Sequence, residues 1–184
     1  KPQKLFQVDH HMGIAAAGYI PDARGQVNDI RFFSQSSKLV YDEPVDVGTV
    51  AKYAADEFQH YTQYAGVRPM GVALIIGGVD NNGNALFLVD PSGTYVAYNA
   101  VAIGANSDIV TEFLKKEYKP DITIDEGIVL AIAAIYLASE IKKGTKHIKI
   151  SQIRSDTKRF EIITDEQLAK LAQSTAEKYP TEHK

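Results

Sequence analysis

The sequence predicts a layered α+β domain built on antiparallel strands, and three observations lead there. Short strand patterns return on themselves through tight turns. Pairs of helical patterns interrupt them. The regular strand–helix alternation of a doubly wound parallel sheet does not occur. The order read along the chain is strands, two helices, strands, two helices, then a hairpin and a helix.

Residues 4–8 and 13–19 read as strands joined by a turn at Asp9-His10-His11-Met12. Pro21 suits the first turn of a helix, where its missing N–H costs nothing, and Asp22 suits the positive helix end. Ala23, Val27, Ile30 and Ser34 share one helical face with Phe33 at its edge, and Glu43-Pro44 ends that helix. A second helix carries Val50, Tyr53, Ala54, Phe58 and Tyr61 at steps of three and four, closed by Gly66 and Pro69.

Val72 to Val79 is apolar enough to predict a strand buried on both faces. Asn81-Asn82-Gly83 is a hairpin turn returning into Ala85 to Val89. Asp90-Pro91-Ser92-Gly93 is a second turn, followed by a strand predicted from Thr94 to Ile103. A helix is expected from Ser107 to Tyr118. Thr123-Ile-Asp-Glu126 has the spacing of a capping box and opens a longer helix whose core face holds Val129, Ile132, Ile135 and Tyr136. Strands around 148–153 and 158–163 pair across Ser155-Asp156-Thr157, and Thr164 caps the last helix. One domain over residues 1–179 is expected, with a polar tail at 180–184.

Composition narrows the function. The chain has 184 residues, 45% of them apolar and 23% charged, the balance of a globular domain with a real core. A net charge of −3 gives no broad attraction to nucleic acid or anionic membrane, so neither is an expected partner. The lack of cysteine excludes disulfides and thiolate metal sites and fits a reducing compartment. No apolar run nears the ~20 residues that span a bilayer. Lys1 is no translation start, so a preceding segment is expected.

No catalytic or metal-binding constellation emerges. His10 and His11 are adjacent, point apart and read as a solvated turn without a third ligand. Gly77-Gly78 lies in a strand, where glycine marks close backbone approach, and lacks dinucleotide-fingerprint spacing. Ser92 reads as turn chemistry, and Asp22 with Arg24 as helix-end electrostatics. No cofactor or metal is implied.

Three stretches carry a family resemblance. Gly18-Tyr-Ile-Pro-Asp-Ala-Arg24 resembles the motif that opens the first long helix of proteasome α-type subunits. Tyr61-Thr-Gln-Tyr-Ala-Gly-Val-Arg-Pro-Met-Gly71 is similar to the α-type hallmark. Asp90-Pro-Ser-Gly93, with Ala100-Val-Ala-Ile-Gly104 and Phe113-Leu-Lys-Lys-Glu-Tyr118, is similar to the signature that follows. They occur in order and at family spacing through residues 3–171. Ala65, Pro21 and the His10-His11 pair depart from the commoner residues without touching fold or class.

The resemblance implies a four-layer αββα sandwich of antiparallel sheets of the Ntn-hydrolase type, with the gating tail, a short helix and the first strands of the family lacking from this chain. It implies a non-catalytic subunit of the core particle, in a cytoplasmic seven-membered α ring that controls entry of unfolded protein to the β-ring chamber. Its partners would be identical or homologous α subunits, β-type subunits and an activating ATPase. Lys4 and Gly18 match the positions that hold an activator's C-terminal carboxylate. Asp29, Arg31, Phe32, Tyr61 and Tyr64 lie on the helix pair that the family packs against the neighbouring β ring, which makes them expected subunit-interface residues.

Two other functions compete. A catalytic β-type subunit needs an N-terminal threonine whose amine acts as base, which Lys1 does not supply. A proteasome-like interaction module that joins no protease would look the same in sequence.

Overall fold

The computed structural model describes residues 3–140 and 144–180. Lys1 and most of the polar tail, residues 181–184, lie outside them. The described chain forms two compact units, one running to Gly104 and taking in Ile153–Phe160, the other comprising Ala105–Gln152 and the chain from Glu161.

The first unit is an antiparallel sheet in the order β1-β2-β3-β4-β5, with strands Leu5–Asp9, Met12–Gly18, Val72–Asp80, Gly83–Val89 and Tyr95–Ala97. Helices α1 (Ile20–Tyr41) and α2 (Val47–Gln63) pack on it. The predicted helix face holds: Ala23, Val27, Ile30 and Ser34 are all buried, and Phe33 stacks on Tyr53 at 4.2 Å between ring centres. Ala23, Val27 and Ile30 meet Phe6, Ile14, Val50, Phe58, Leu74 and Ile76 in one core. Each large apolar side chain so buried contributes about 1.5–3 kcal/mol.

Helix α1 runs to Tyr41, ending just before Glu43-Pro44 as expected, where Asp42 adopts a left-handed conformation and its N–H bonds Lys38 O at 2.8 Å. Leu39, Val40 and Tyr41 are helical and exposed. Other boundaries differ from expectation. Strand β3 is not buried on both faces. Val72, Leu74 and Ile76 are sealed, whereas Ala73, Ile75 and Gly77 are half-buried. Its apolar run reflects a central position between β2 and β4 more than two sealed faces. The strand expected over 94–103 is only Tyr95–Ala97. It is an edge strand, and its ladder ends once Tyr98 N–H has bonded Leu86 O at 2.9 Å.

Turn chemistry sets the sheet's register. Asp80 pairs with Gly83 across Asn81-Asn82, and Asp80 Oδ1 accepts the Asn82 N–H at 2.8 Å. Its other oxygen accepts the Val47 N–H at 2.9 Å, so a carboxylate from β3 caps α2 where Asp46 makes no side-chain cap. A Cβ on Gly78 would sit 2.6 Å from His11 O, the close backbone approach the sequence suggested. At Asp90-Pro91-Ser92-Gly93, Gly93 N–H bonds Asp90 O at 3.0 Å, and the Asp90 carboxylate gathers Ser92 and Thr94.

The second unit holds α3 (Ser107–Glu117), α4 (Ile124–Ala138) and α5 (Asp165–Lys178). Its core is Val129, Ile132, Tyr136, Ile148, Ile150, Ile163, Leu168 and Leu171. Thr123 accepts the Glu126 N–H at 3.2 Å, and Thr164 accepts the Gln167 N–H at 3.2 Å, as their spacing predicts. The last hairpin has short strands, β6 (Ser151–Ile153) and β7 (Phe160–Ile162), antiparallel order being set by its turn. Ile163 N–H to Ile150 O at 3.0 Å extends the pairing below them.

Candidate functional site

The two hallmark motifs meet at one point of the first unit. Arg68, in the loop after α2, places its guanidinium against Asp22 in the first turn of α1: Nη1 donates to Oδ2 at 2.7 Å and Nη2 to Oδ1 at 2.9 Å. Asp22 Oδ2 also accepts the Gly71 N–H at 3.0 Å, and the Arg68 guanidinium lies over the Tyr19 ring at 5.2 Å. The Arg68 hydrogen bonds, joined by that of Gly71, hold the Asp22 carboxyl below its ordinary range against the opposing effect of burial. Asp22 lies in the first turn of α1, as expected of a helix-end charge, and it also holds the loop.

Beside this ion pair opens a cleft of about 370 Å³ between the start of α1 and the end of α2. Asp29 and Tyr61 line it, with Gln26 buried at its base and Val67 and Met70 on its wall. Gln26 Oε1 is buried without a hydrogen-bond partner among the described residues.

Asp29 and Tyr61 both line the cleft, and Arg31, Phe32 and Tyr64 are not among its lining residues. Phe32 is 77% exposed and does not line the cleft. Tyr64 is exposed and its ring sits 4.2 Å from that of His60. Arg31 Nε donates to Gln7 O at 2.9 Å. Phe6 pairs with Ile14 and Lys4 bonds Ala16, so the ladder alternation turns Gln7 O outward from the free edge of β1. Arg31 therefore blunts an edge strand.

Lys4 and Gly18 sit at the same end of the β1–β2 ladder. Ala16 N–H donates to Lys4 O at 2.9 Å, and Tyr19 N–H donates to Gly71 O at 2.8 Å. Alternation along β2 then turns the Gly18 N–H to the side on which Lys4 lies. Gly18 has φ of +119°, and a Cβ there would stand 2.3 Å from Gly71 O. Lys4 is exposed and forms no ion pair among the described residues.

One polar group escaped the sequence reading. His11 is not solvated: it is 5% exposed, and its Nε2 lies 2.8 Å from Val45 O. Asp9 is buried next to it, accepting the Ser34 hydroxyl and the His10 N–H. Burial raises the Asp9 carboxyl, but those hydrogen bonds and the nearby histidines outweigh it and leave the group below its ordinary range. The hydroxyl meets the carboxylate and not the imidazole, so this trio is a tie between β1, α1 and the connection to α2, not a nucleophile with its base. Ser34 at a core position of α1 was the only signal.

Similarity to known proteins completes the picture. The family model described as proteasome subunit matches residues 1–153. A Methanosarcina barkeri protein named proteasome subunit alpha is 39% identical over 99% of this chain and 74% of its own length. The protein of the same name from Methanothermobacter thermautotrophicus is 39% identical over 90% of this chain and 67% of its own length. The chain belongs to the proteasome subunit family. Within that family it is of the α type, a non-catalytic kind of core-particle subunit, the catalytic activity lying in β subunits, and it assembles with other proteasome subunits. No described helix is long and apolar enough to cross a membrane.

Proposed function

We propose that this chain builds the outer ring of a proteasome core particle, governs entry to the proteolytic chamber, and offers Lys4 and Gly18 to the C-terminal carboxylate of an activating ATPase. The observation that supports the docking part is that the Gly18 N–H turns to the β1 side of the ladder end at which Lys4 lies. A flexible lysine supplies a point charge, and a backbone donor approached closely past a glycine supplies direction. Such a pair suits a terminal carboxylate arriving from outside the domain. Identical or homologous α subunits would close the ring, with β-type subunits below it and unfolded protein passing through, in the cytoplasm.

Native mass spectrometry of the chain with its β-type partner tests the assembly. Seven-membered rings and stacked rings support the reading. A chain that stays monomeric at micromolar concentration with β subunits present overturns it and favours an interaction module that joins no protease.

A further inference from the structure

The cleft between α1 and α2 carries chemistry that nothing above uses. Its only described cation, Arg68, is spent on Asp22 in a two-point ion pair. Asp29 forms no ion pair among the described residues, so the lining holds an unbalanced negative charge. Gln26, 1% exposed, leaves its carbonyl oxygen with no donor among the described residues. A buried acceptor without a partner costs free energy, and Gln26 is one of the residues that line the cleft. The Tyr61 ring and the Val67 and Met70 side chains supply walls for an aliphatic stem.

We infer that this cleft is a receptor for an arginine side chain presented by a partner polypeptide, its guanidinium donating to Gln26 Oε1 and to the Asp29 carboxylate beside the Tyr61 ring. The fork of five donors serves two acceptors at once, is weakly hydrated and stacks on aromatic faces, where a lysine ammonium offers a strongly hydrated point charge. A side chain within a polypeptide fits better than the free amino acid. Free arginine brings a carboxylate, and the lining has acidic residues and no spare cation to receive it. The assignment does not depend on ring assembly, so its failure and the failure of the ring reading are separate results.

The chain contains two methionines, Met12 in the sealed core and Met70 on the cleft wall. Methyl-labelled methionine NMR therefore gives a reporter and an internal control in any assembly state. The probes are Nα-acetyl-arginine N-methylamide, its uncharged citrulline counterpart and free arginine. We expect a saturable shift of Met70, with Met12 unmoved, for the capped arginine, and weaker binding of free arginine. Citrulline should bind at least about tenfold more weakly. Asp29→Asn, at an exposed position, should weaken the capped arginine by about tenfold. Gln26→Leu should weaken it while leaving the melting temperature unchanged or raised, because the orphaned acceptor is gone. Equal shifts from arginine and citrulline, no saturable Met70 shift, or undiminished binding in Asp29→Asn would each overturn the assignment.

Discussion

Asp22 and Arg68, 46 positions apart in sequence, face each other through two parallel hydrogen bonds of 2.7 and 2.9 Å. Together with the Gly71 N–H bond to the same carboxylate, they pin the loop after α2 to the first turn of α1. The fork geometry is specific to arginine. Asp22→Asn should therefore lower the melting temperature at neutral pH. The folded carboxyl is held below its ordinary value, so the stability it contributes is present above the unfolded value of about 3.9 and lost as pH falls through the folded one. Thermal melts of both proteins should differ near pH 7 and converge toward pH 3. A difference that persists unchanged in acid would show that the charge is not what matters.

Ser34 and Asp9 make the next test. Ser34→Ala removes the hydroxyl from a buried carboxylate that keeps its other contacts. We expect a loss of about 1–3 kcal/mol in urea unfolding at neutral pH, with an unchanged m-value. Asp9 also sits below its ordinary range, so its contribution should likewise fade in acid, below about pH 4.

Gly18→Ala meets two obstacles, a positive φ and the Gly71 carbonyl in the space the methyl would take. The expected cost is about 1–3 kcal/mol, read as a lower denaturation midpoint. Ala17→Gly beside it lacks both obstacles and provides the control.

Lys4→Ala leaves the core untouched because the side chain is exposed. Assembly with β subunits should survive. Stimulation of peptide hydrolysis by the ATPase, or by its C-terminal peptide, should require about thirtyfold more activator or worse. Near-normal stimulation in this variant removes Lys4 from the docking site.

Much of the first unit was legible because local rules and tertiary needs agree there. Ala23, Val27, Ile30 and Ser34 repeat at helical spacing, and the same face is the one the sheet buries. Thr123 and Thr164 cap the helices their spacing announces, since a cap is a contact three residues long. The two hallmark motifs could be seen in sequence, as could Lys4 and Gly18. What joined them could not.

The sequence by itself determined the class of the fold, the helix faces, the turns at Asn81-Asn82 and Asp90 to Gly93, and the family, because each depends on neighbours within a few residues or on motifs in order. Only the tertiary structure decided the rest. It made the helix-end charge Asp22 the anchor of Arg68 as well, sent His11 from an expected solvated turn into the core under Val45, and committed Arg31 to the edge of β1. It also set Asp29 and Tyr61 on a cleft with a buried Gln26 whose Oε1 has no hydrogen-bond partner among the described residues. The physical reason is range. Side-chain hydrogen bonds and ion pairs act over about 3 Å, and which distant residues come that close is fixed only when the sheet and its helices pack.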